Sequence, residues 1–146
     1  MRWSPHVTVA AIAQDTQGRF LLVEEQIDGK NCLNQPAGHW EKGESLVEAV
    51  VRETREETGY EFFPESMLGI YHWEHPHKDL TYLRIAFIGR AGQHDPQAPL
   101  DTGIIGPRWL SLEEMRTAPL RSAMVERCIL DFLAGKRFSL DILCSL

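Results

Sequence analysis

Three glutamates, Glu53, Glu56 and Glu57, have the spacing of a single stripe along a helix. At about 100° per residue they continue the stripe of Leu46, Ala49 and Val50, so an apolar helix face becomes acidic. Clustered carboxylate oxygens bind hard divalent cations, whereas without a cation the like charges destabilise a helix. The stripe therefore predicts a Mg²⁺ or Mn²⁺ site, and a solvated charged face is the alternative interpretation.

The helix that would carry these acids is marked at both ends. Ser45, followed three residues later by Glu48, is a capping-box signature at the beginning. Gly59 is a typical residue for the end of a helix. We therefore predict a helix over residues 46–58.

One stretch of the chain gives the metal interpretation a specific form. Gly38 is followed after five residues by Glu44, and after seven more by the run RETREETGY at 52–60. This stretch resembles the Nudix box, GX5EX7REUXEEXGU, in which U is a bulky apolar residue. All seven fixed positions match, and the chance of such a match is on the order of 10⁻⁸ to 10⁻⁹ per window. Thr54 and Tyr60 stand where aliphatic residues are usual, and neither change removes a ligand.

The resemblance implies an α/β Nudix fold, an αβα sandwich with a mixed β-sheet, in one domain over residues 1–146. It also implies a role for each conserved position of the box. The metal ligands would be Glu53, Glu56, Glu57 and the Gly38 carbonyl. Glu44 would assist the site, and Arg52 would orient the carboxylates.

The family reaction is the attack of metal-activated water on a phosphorus atom of a nucleoside diphosphate linked to another group. A carboxylate takes the proton of the attacking water. We expect Glu53 to be this base and Arg52 and Glu44 to complete the catalytic set. In some relatives the base comes from a later loop, where Asp101 and Asp95 are the alternatives.

The resemblance extends beyond the box to bacterial phosphatases of the family, over about the first 135 residues. It rests on five short runs: PHVTVA at 5–10, VEE at 23–25, NQPAGH at 34–39, RWLS at 108–111 and LRS at 120–122. These phosphatases act on nucleoside di- and triphosphates and on hydroxymethylpyrimidine and thiamine diphosphates. The resemblance therefore implies hydrolysis of such phosphoanhydride bonds.

Two other functions remain open at this stage. The first is cleavage of ADP-ribose or another nucleoside diphosphate sugar, because Pro76 lies sixteen residues beyond Tyr60, as in relatives with that activity. The second is a catalytically inactive Nudix-like module that only binds a nucleotide. Such modules usually lose at least one acid of the box, and here Glu53, Glu56 and Glu57 are retained.

Five residues outside the box are candidates for contacts with the substrate. Tyr71 and Trp73 could stack on a base or pyrimidine ring, although alternating aromatic residues in a strand are more often core. Arg84 could meet a phosphate, and a solvent-facing salt bridge is the alternative. Gln35 is a candidate by family position, and Asp101 as a late acid.

Composition limits the classes of partner. The formal net charge of −6 and the scattered basic residues argue against a nucleic-acid polymer as ligand. The sequence contains no run of about 18 apolar residues, the length that a membrane span needs. The N-terminus lacks the pattern of a secretory signal. Three widely spaced cysteines are typical of reduced thiols. We therefore expect a cytoplasmic enzyme for a small-molecule substrate, as a monomer or homodimer.

Local patterns predict the elements that must position the box. Apolar runs predict strands, and Gly, Pro and polar clusters predict loops. The expected strands are 7–13, 19–24, 67–73, 80–89 and 108–110, with a short strand possible near 36–38. The expected loops are 26–34 and 91–106, and the expected later helices are 112–116 and 120–134.

Overall fold

The protein is described by a computed structural model that covers residues 2–146. These residues form seven strands and three α-helices. In order they are β1 (His6–Ala13), β2 (Phe20–Ile27), β3 (Lys30–Asn34), β4 (Ala37–His39), α1 (Leu46–Thr58), β5 (Tyr60–Glu74), β6 (Thr81–His94), β7 (Ile104–Leu110), α2 (Leu112–Met115) and α3 (Ala123–Leu133). A 3₁₀ turn follows at Leu140–Ile142.

The strands form two sheets. The larger sheet has the order β4-β1-β6-β5, in which β1 and β6 are parallel and the other neighbours are antiparallel. The smaller sheet is antiparallel, with the order β3-β2-β7. The predicted mixed β-sheet of an α/β protein is therefore confirmed.

Side chains of the central strands alternate between two apolar clusters. On one face, Ile12 and Ile88 pack with Val125 and Ile129 of α3. The other face packs against α1 through a second cluster, which includes Val9, Ala11, Ile85, Phe87, Ala49 and Val50. Burial on both faces explains the continuous apolar runs at 9–13 of β1 and 85–88 of β6. The layers are those of the predicted αβα sandwich.

Helix α1 begins and ends where the sequence predicts. The Ser45 side chain accepts a hydrogen bond from the Glu48 backbone N–H, and the Glu48 side chain accepts one from the Ser45 N–H. Gly59 ends the helix with a left-handed φ of 75°, which an L side chain adopts only with strain. Both ends of the helix are therefore determined by local chemistry.

The predicted loop at 26–34 is wrong, because this segment contains the hairpin of β2 and β3. Asp28 and Gly29 have φ values of 52° and 77°, the left-handed pair of a two-residue hairpin turn. Of the residues of β3, only Leu33 is buried. The mostly polar strand therefore lacks the apolar pattern that a sequence prediction needs.

Strands β5, β6 and β7 are longer than predicted, so the loop expected at 91–106 shrinks to residues 95–103. The register of β5 shifts three times along its pairing with β6. Each irregularity interrupts the alternation of buried and exposed residues that marks a strand. Helix α3 is shorter than predicted because Ser122 caps its beginning and Leu120 pairs with Leu33.

Two predictions about the chain as a whole can be compared with the structure. The three cysteines are free, as expected for reduced thiols. Within residues 2–146, none of the helices has both the length and the apolar character that a membrane span needs.

The packing of β5 on β6 leads to a stability prediction. A Cβ atom on Gly89 would lie 2.2 Å from the Phe63 carbonyl oxygen and 2.8 Å from Cζ of Phe62. Gly89→Ala should therefore lower the free energy of unfolding by about 1–3 kcal/mol in a urea titration. Gly69→Ala on β5 is the control, because its nearest contact would be an ordinary 3.5 Å. Equal stability of the two variants would contradict the packing described.

Candidate active site

Arg52, in the middle of α1, is the centre of a network of carboxylates. Its guanidinium group donates hydrogen bonds of 2.7 and 2.9 Å to the two oxygens of Glu44. It also donates to Glu53 at 2.8 Å and to Glu56 at 3.0 Å. A further bond of 3.1 Å reaches the carbonyl oxygen of His39. One cation thus fixes three acids and the end of β4 relative to one another.

Glu44 connects this network to the loop before α1. Besides binding Arg52, it accepts a hydrogen bond of 2.9 Å from the backbone N–H of Glu41. The hydrogen bond from Arg52 is the main reason that the pKa of Glu44 lies below its usual value, although partial burial opposes it. Glu44 therefore stays ionised and pairs with Arg52 through both oxygens.

A group of three acids could hold a metal ion. Ligand oxygens of Glu53, Glu56 and Asp101 lie within 4.8 Å of one another. Asp101 comes from the loop 95–103, and its backbone N–H donates to the carbonyl oxygen of Glu56 at 3.1 Å. All three donors are carboxylate oxygens, so the set fits a hard cation such as Mg²⁺ or Mn²⁺.

Gly38 leaves room for Glu53 beside β4. A Cβ atom at this position would lie 2.1 Å from Cδ of Glu53 and 2.2–2.4 Å from its two oxygens. Only a residue without a side chain allows this carboxylate to rest against the strand. The close approach of the Glu53 carboxylate accounts for the glycine at this position. The predicted role of its carbonyl as a metal ligand is a separate matter.

Glu57 occupies a different position from the other predicted ligands. It is 8% exposed, and it accepts a hydrogen bond of 2.8 Å from the backbone N–H of Ala37. Burial is the main reason that its pKa rises to about 9, and repulsion from Glu53 adds to the rise. Burial also raises the pKa of Glu53. Without a cation, these two carboxylates therefore carry a cost for remaining charged.

A cleft of about 810 Å³ adjoins the acids. Glu53, Glu57 and Gly38 contribute to its wall. The other lining residues come from the large sheet, the β2–β3 hairpin, the β5–β6 turn and the segment before α3. They include Thr8, Arg84, Tyr82, Trp73, Lys30, His75, Lys78 and Arg121. This volume is in the range of pockets for small molecules.

Comparison with known proteins agrees with the motif and the fold. A model of the NUDIX domain matches residues 4–131. The chain belongs to the Nudix family. It is 41% identical over 142 residues to the phosphatase NudJ of Shigella boydii, with 97% of this chain and 92% of that protein covered. Phosphatase NudJ of Escherichia coli K12 is similar to the same extent. A solved NUDIX hydrolase from Nitrosomonas europaea has a TM-score of 0.94 and 46% identity, with 98% of each chain covered.

The two unusual residues of this Nudix box are accommodated locally. The Thr54 hydroxyl is fully buried and donates a 2.8 Å hydrogen bond to the carbonyl oxygen of Val50. Tyr60 stacks on His94 with 4.2 Å between ring centroids, and its hydroxyl accepts a hydrogen bond from Trp109. Neither substitution disturbs the acids of the box.

Of the residues predicted to contact the substrate, Trp73 and Arg84 line the cleft, and Asp101 lies in the acidic group. Gln35 and Tyr71 do not line it. Gln35 is 0% exposed, and the Tyr71 hydroxyl donates to Asp131 at 2.7 Å. The polar atoms of these two side chains already form hydrogen bonds with other residues of the protein.

The cleft is also lined by residues outside the predicted site. His39, His75 and His77 line it, and the six histidines of the sequence show no metal-ligand spacing that would have marked them. Glu25 and Arg121 also line it and form a 2.7 Å ion pair. Glu25, His39 and Arg121 stand in the runs that resemble the family, and Glu25 flanks the pocket by family position. His75 and His77 lie in the turn between β5 and β6, which no local pattern connects with the box.

The buried carboxyl group of Glu57 generates a prediction about pH. Because its pKa in the metal-free fold is raised from 4.5 to about 9, it keeps a proton that the unfolded chain loses. Its contribution to stability is therefore present below about pH 4.5 and is lost as the pH rises toward about 9. Glu57→Gln cannot ionise and keeps the acceptor for Ala37. In EDTA, the melting temperature of this variant relative to wild type should therefore increase from pH 5 to pH 8.

Glu48→Gln is the control, because Glu48 is exposed on the same helix and glutamine also serves in a capping box. The difference in melting temperature between Glu48→Gln and wild type should stay constant from pH 5 to pH 8. A constant difference in melting temperature between Glu57→Gln and wild type would show that Glu57 does not titrate as described.

Proposed function

We propose that the protein hydrolyses phosphoanhydride bonds of nucleoside di- and triphosphates, and of hydroxymethylpyrimidine or thiamine diphosphate, with Mg²⁺ or Mn²⁺. The observation that carries this proposal is the convergence of Glu53, Glu56 and Asp101 beside Arg52, next to a cleft of small-molecule size. Phosphate groups are anions, so a divalent cation is needed to bring them next to these carboxylates.

The proposed roles follow from the contacts of each residue. Glu53, Glu56 and Glu57, with the Gly38 carbonyl, are proposed to hold the ion, and Asp101 adds a fourth carboxylate to this region. When bound, a divalent ion neutralises charge on phosphate oxygens and makes water more acidic. Arg52 keeps the carboxylates oriented, and Glu44 keeps Arg52 in place.

We propose Glu53 as the base that takes the proton from the attacking water. Its carboxylate belongs both to the acidic group and to the wall of the cleft. Its burial raises its pKa, which makes it a better proton acceptor once ionised. Asp101 is the alternative base because it lies in the same group, whereas Asp95 accepts from Gln97 within its own loop.

Similarity supports a phosphatase in preference to the two other functions. The relatives with 41% identity are named phosphatases, and the match covers nearly the whole chain. Pro76, which favoured ADP-ribose, lies exposed in the turn between β5 and β6. An inactive module is disfavoured because all three acids are retained, and Glu53 and Glu56 lie together with Asp101.

We further propose that the enzyme acts in the cytoplasm on a free small molecule, as a monomer or a homodimer. Its three free thiols support a reducing compartment. Gel filtration with light scattering distinguishes the monomer from the dimer.

A panel of substrates tests the proposed reaction. With Mg²⁺, we expect phosphate to be released from CDP, GTP and thiamine diphosphate, and slower AMP release from ADP-ribose. Product analysis by chromatography separates these reactions. Preferred cleavage of ADP-ribose would replace the proposed substrate class, and no turnover on any compound would favour a binding module.

Substitution of Glu53 tests the proposed base. Glu53→Gln keeps the shape of the side chain and removes its charge, so kcat should fall on the order of 10³-fold. The circular dichroism spectrum should stay unchanged. Exposed Glu48→Gln on the same helix is the control and should keep full activity. Turnover of Glu53→Gln within a factor of about three of wild type, together with a large loss in Asp101→Asn, would move the base to Asp101.

A further inference from the structure

Arg84 is a buried cation in the wall of the cleft. It lies on the central strand β6 with 3% of its surface exposed. Its guanidinium group donates to the side-chain oxygens of Gln35 at 2.7 Å and Asn34 at 3.0 Å, and it contacts Sγ of Cys128 at 3.8 Å. These three partners are neutral, so they orient the charge and do not neutralise it.

The orientation of Arg84 is built into the core. Gln35 is fully buried, and its amide nitrogen donates a 2.8 Å hydrogen bond to the carbonyl oxygen of Val125 on α3. This bond fixes the Gln35 side-chain oxygen toward Arg84. Helix α3 therefore acts through Gln35 to hold the guanidinium group at the cleft.

No carboxylate in residues 2–146 lies at ion-pair distance from Arg84. The Nε atom of Arg84 is buried and has no hydrogen-bond partner in the same residues. Two acids of the same cleft have other partners: Glu25 pairs with Arg121, and Glu57 accepts from the backbone N–H of Ala37. A buried charge without a counter-ion is costly, so an anion in the cleft would stabilise it.

We propose that Arg84 binds a phosphoryl group of the substrate or product without help from the metal, and that Gln35 and Asn34 are positioning residues for it. This inference rests on the proposed function and adds a second anion subsite to the cleft. Phosphate fits because it offers several acceptor oxygens to a fixed guanidinium group. A diphosphate could then meet the metal at the acidic group and Arg84 at the sheet, which favours diphosphates over monophosphates.

The proposal is tested by titration calorimetry in EDTA, with orthophosphate and pyrophosphate as probes. Asn34→Asp is the sharpest variant, because it replaces a neutral acceptor of Arg84 by a carboxylate of the same shape. It should neutralise Arg84 in place and weaken the binding of both anions at least about tenfold. Arg84→Met removes the cation and should have the same effect. A melting curve of each variant establishes that it is folded.

Gln26→Glu is the matched control. It adds the same charge as Asn34→Asp, but Gln26 is exposed on β2 and lies outside the cleft. We expect this variant to bind both anions as wild type does. Wild-type affinity in Asn34→Asp, or an equal loss in Gln26→Glu, would overturn the proposal, as would the absence of anion binding by wild type.

Kinetics separate this inference from the proposed function. With Mg²⁺ and an active substrate, Asn34→Asp should raise KM and the inhibition constant of orthophosphate more than it lowers kcat. If the substrate panel shows no hydrolysis and the anions still bind through Arg84, the proposed function fails and the subsite stands. If hydrolysis occurs and anion binding does not depend on Arg84, the subsite fails alone.

Discussion

The candidate site depends on the hydrogen bonds between Arg52 and the carboxylates around it. Three glutamates within one and a half turns of α1 would repel one another, and burial makes their charges more costly. Arg52 offsets part of this cost by bonding to Glu53 and Glu56, while Glu44 holds Arg52 by both oxygens. Arg52 does not contact Glu57, whose pKa is raised mainly by burial, so the charged form of this carboxylate is left without a compensating cation.

The rest of the fold brings backbone and loop groups to this helix. Strand β4 contributes Gly38, where the lack of a side chain admits Glu53, and Ala37, whose N–H meets Glu57. The loop after β6 contributes Asp101, attached to the end of α1 through the carbonyl of Glu56. The short strand β4 matters because it supports two acids at once, although it has only three residues.

Residues close in sequence were predictable, and residues joined by long-range pairing were not. The bounds of α1 follow from Ser45 and Gly59, because helix ends are decided within a few residues. The place of Asp101 depends on where β6 ends and β7 begins, and the bulges of β5 concealed the extent of its pairing with β6. The burial of Gln35 depends on α3, whose contact with it spans ninety residues. No local pattern carries that information.

The two sides of the cleft carry buried groups of opposite charge. On the side of the Nudix box, burial raises the pKa values of Glu53 and Glu57. A cation there would stabilise their charged forms. The sheet side presents Arg84 among neutral acceptors, so it lacks negative charge. The two sides do not neutralise each other: Glu57 accepts only from the backbone N–H of Ala37, and no ion pair within residues 2–146 joins it to Arg84. In the proposed function, a divalent cation beside the glutamates and a diphosphate beside Arg84 would supply the two missing counter-charges.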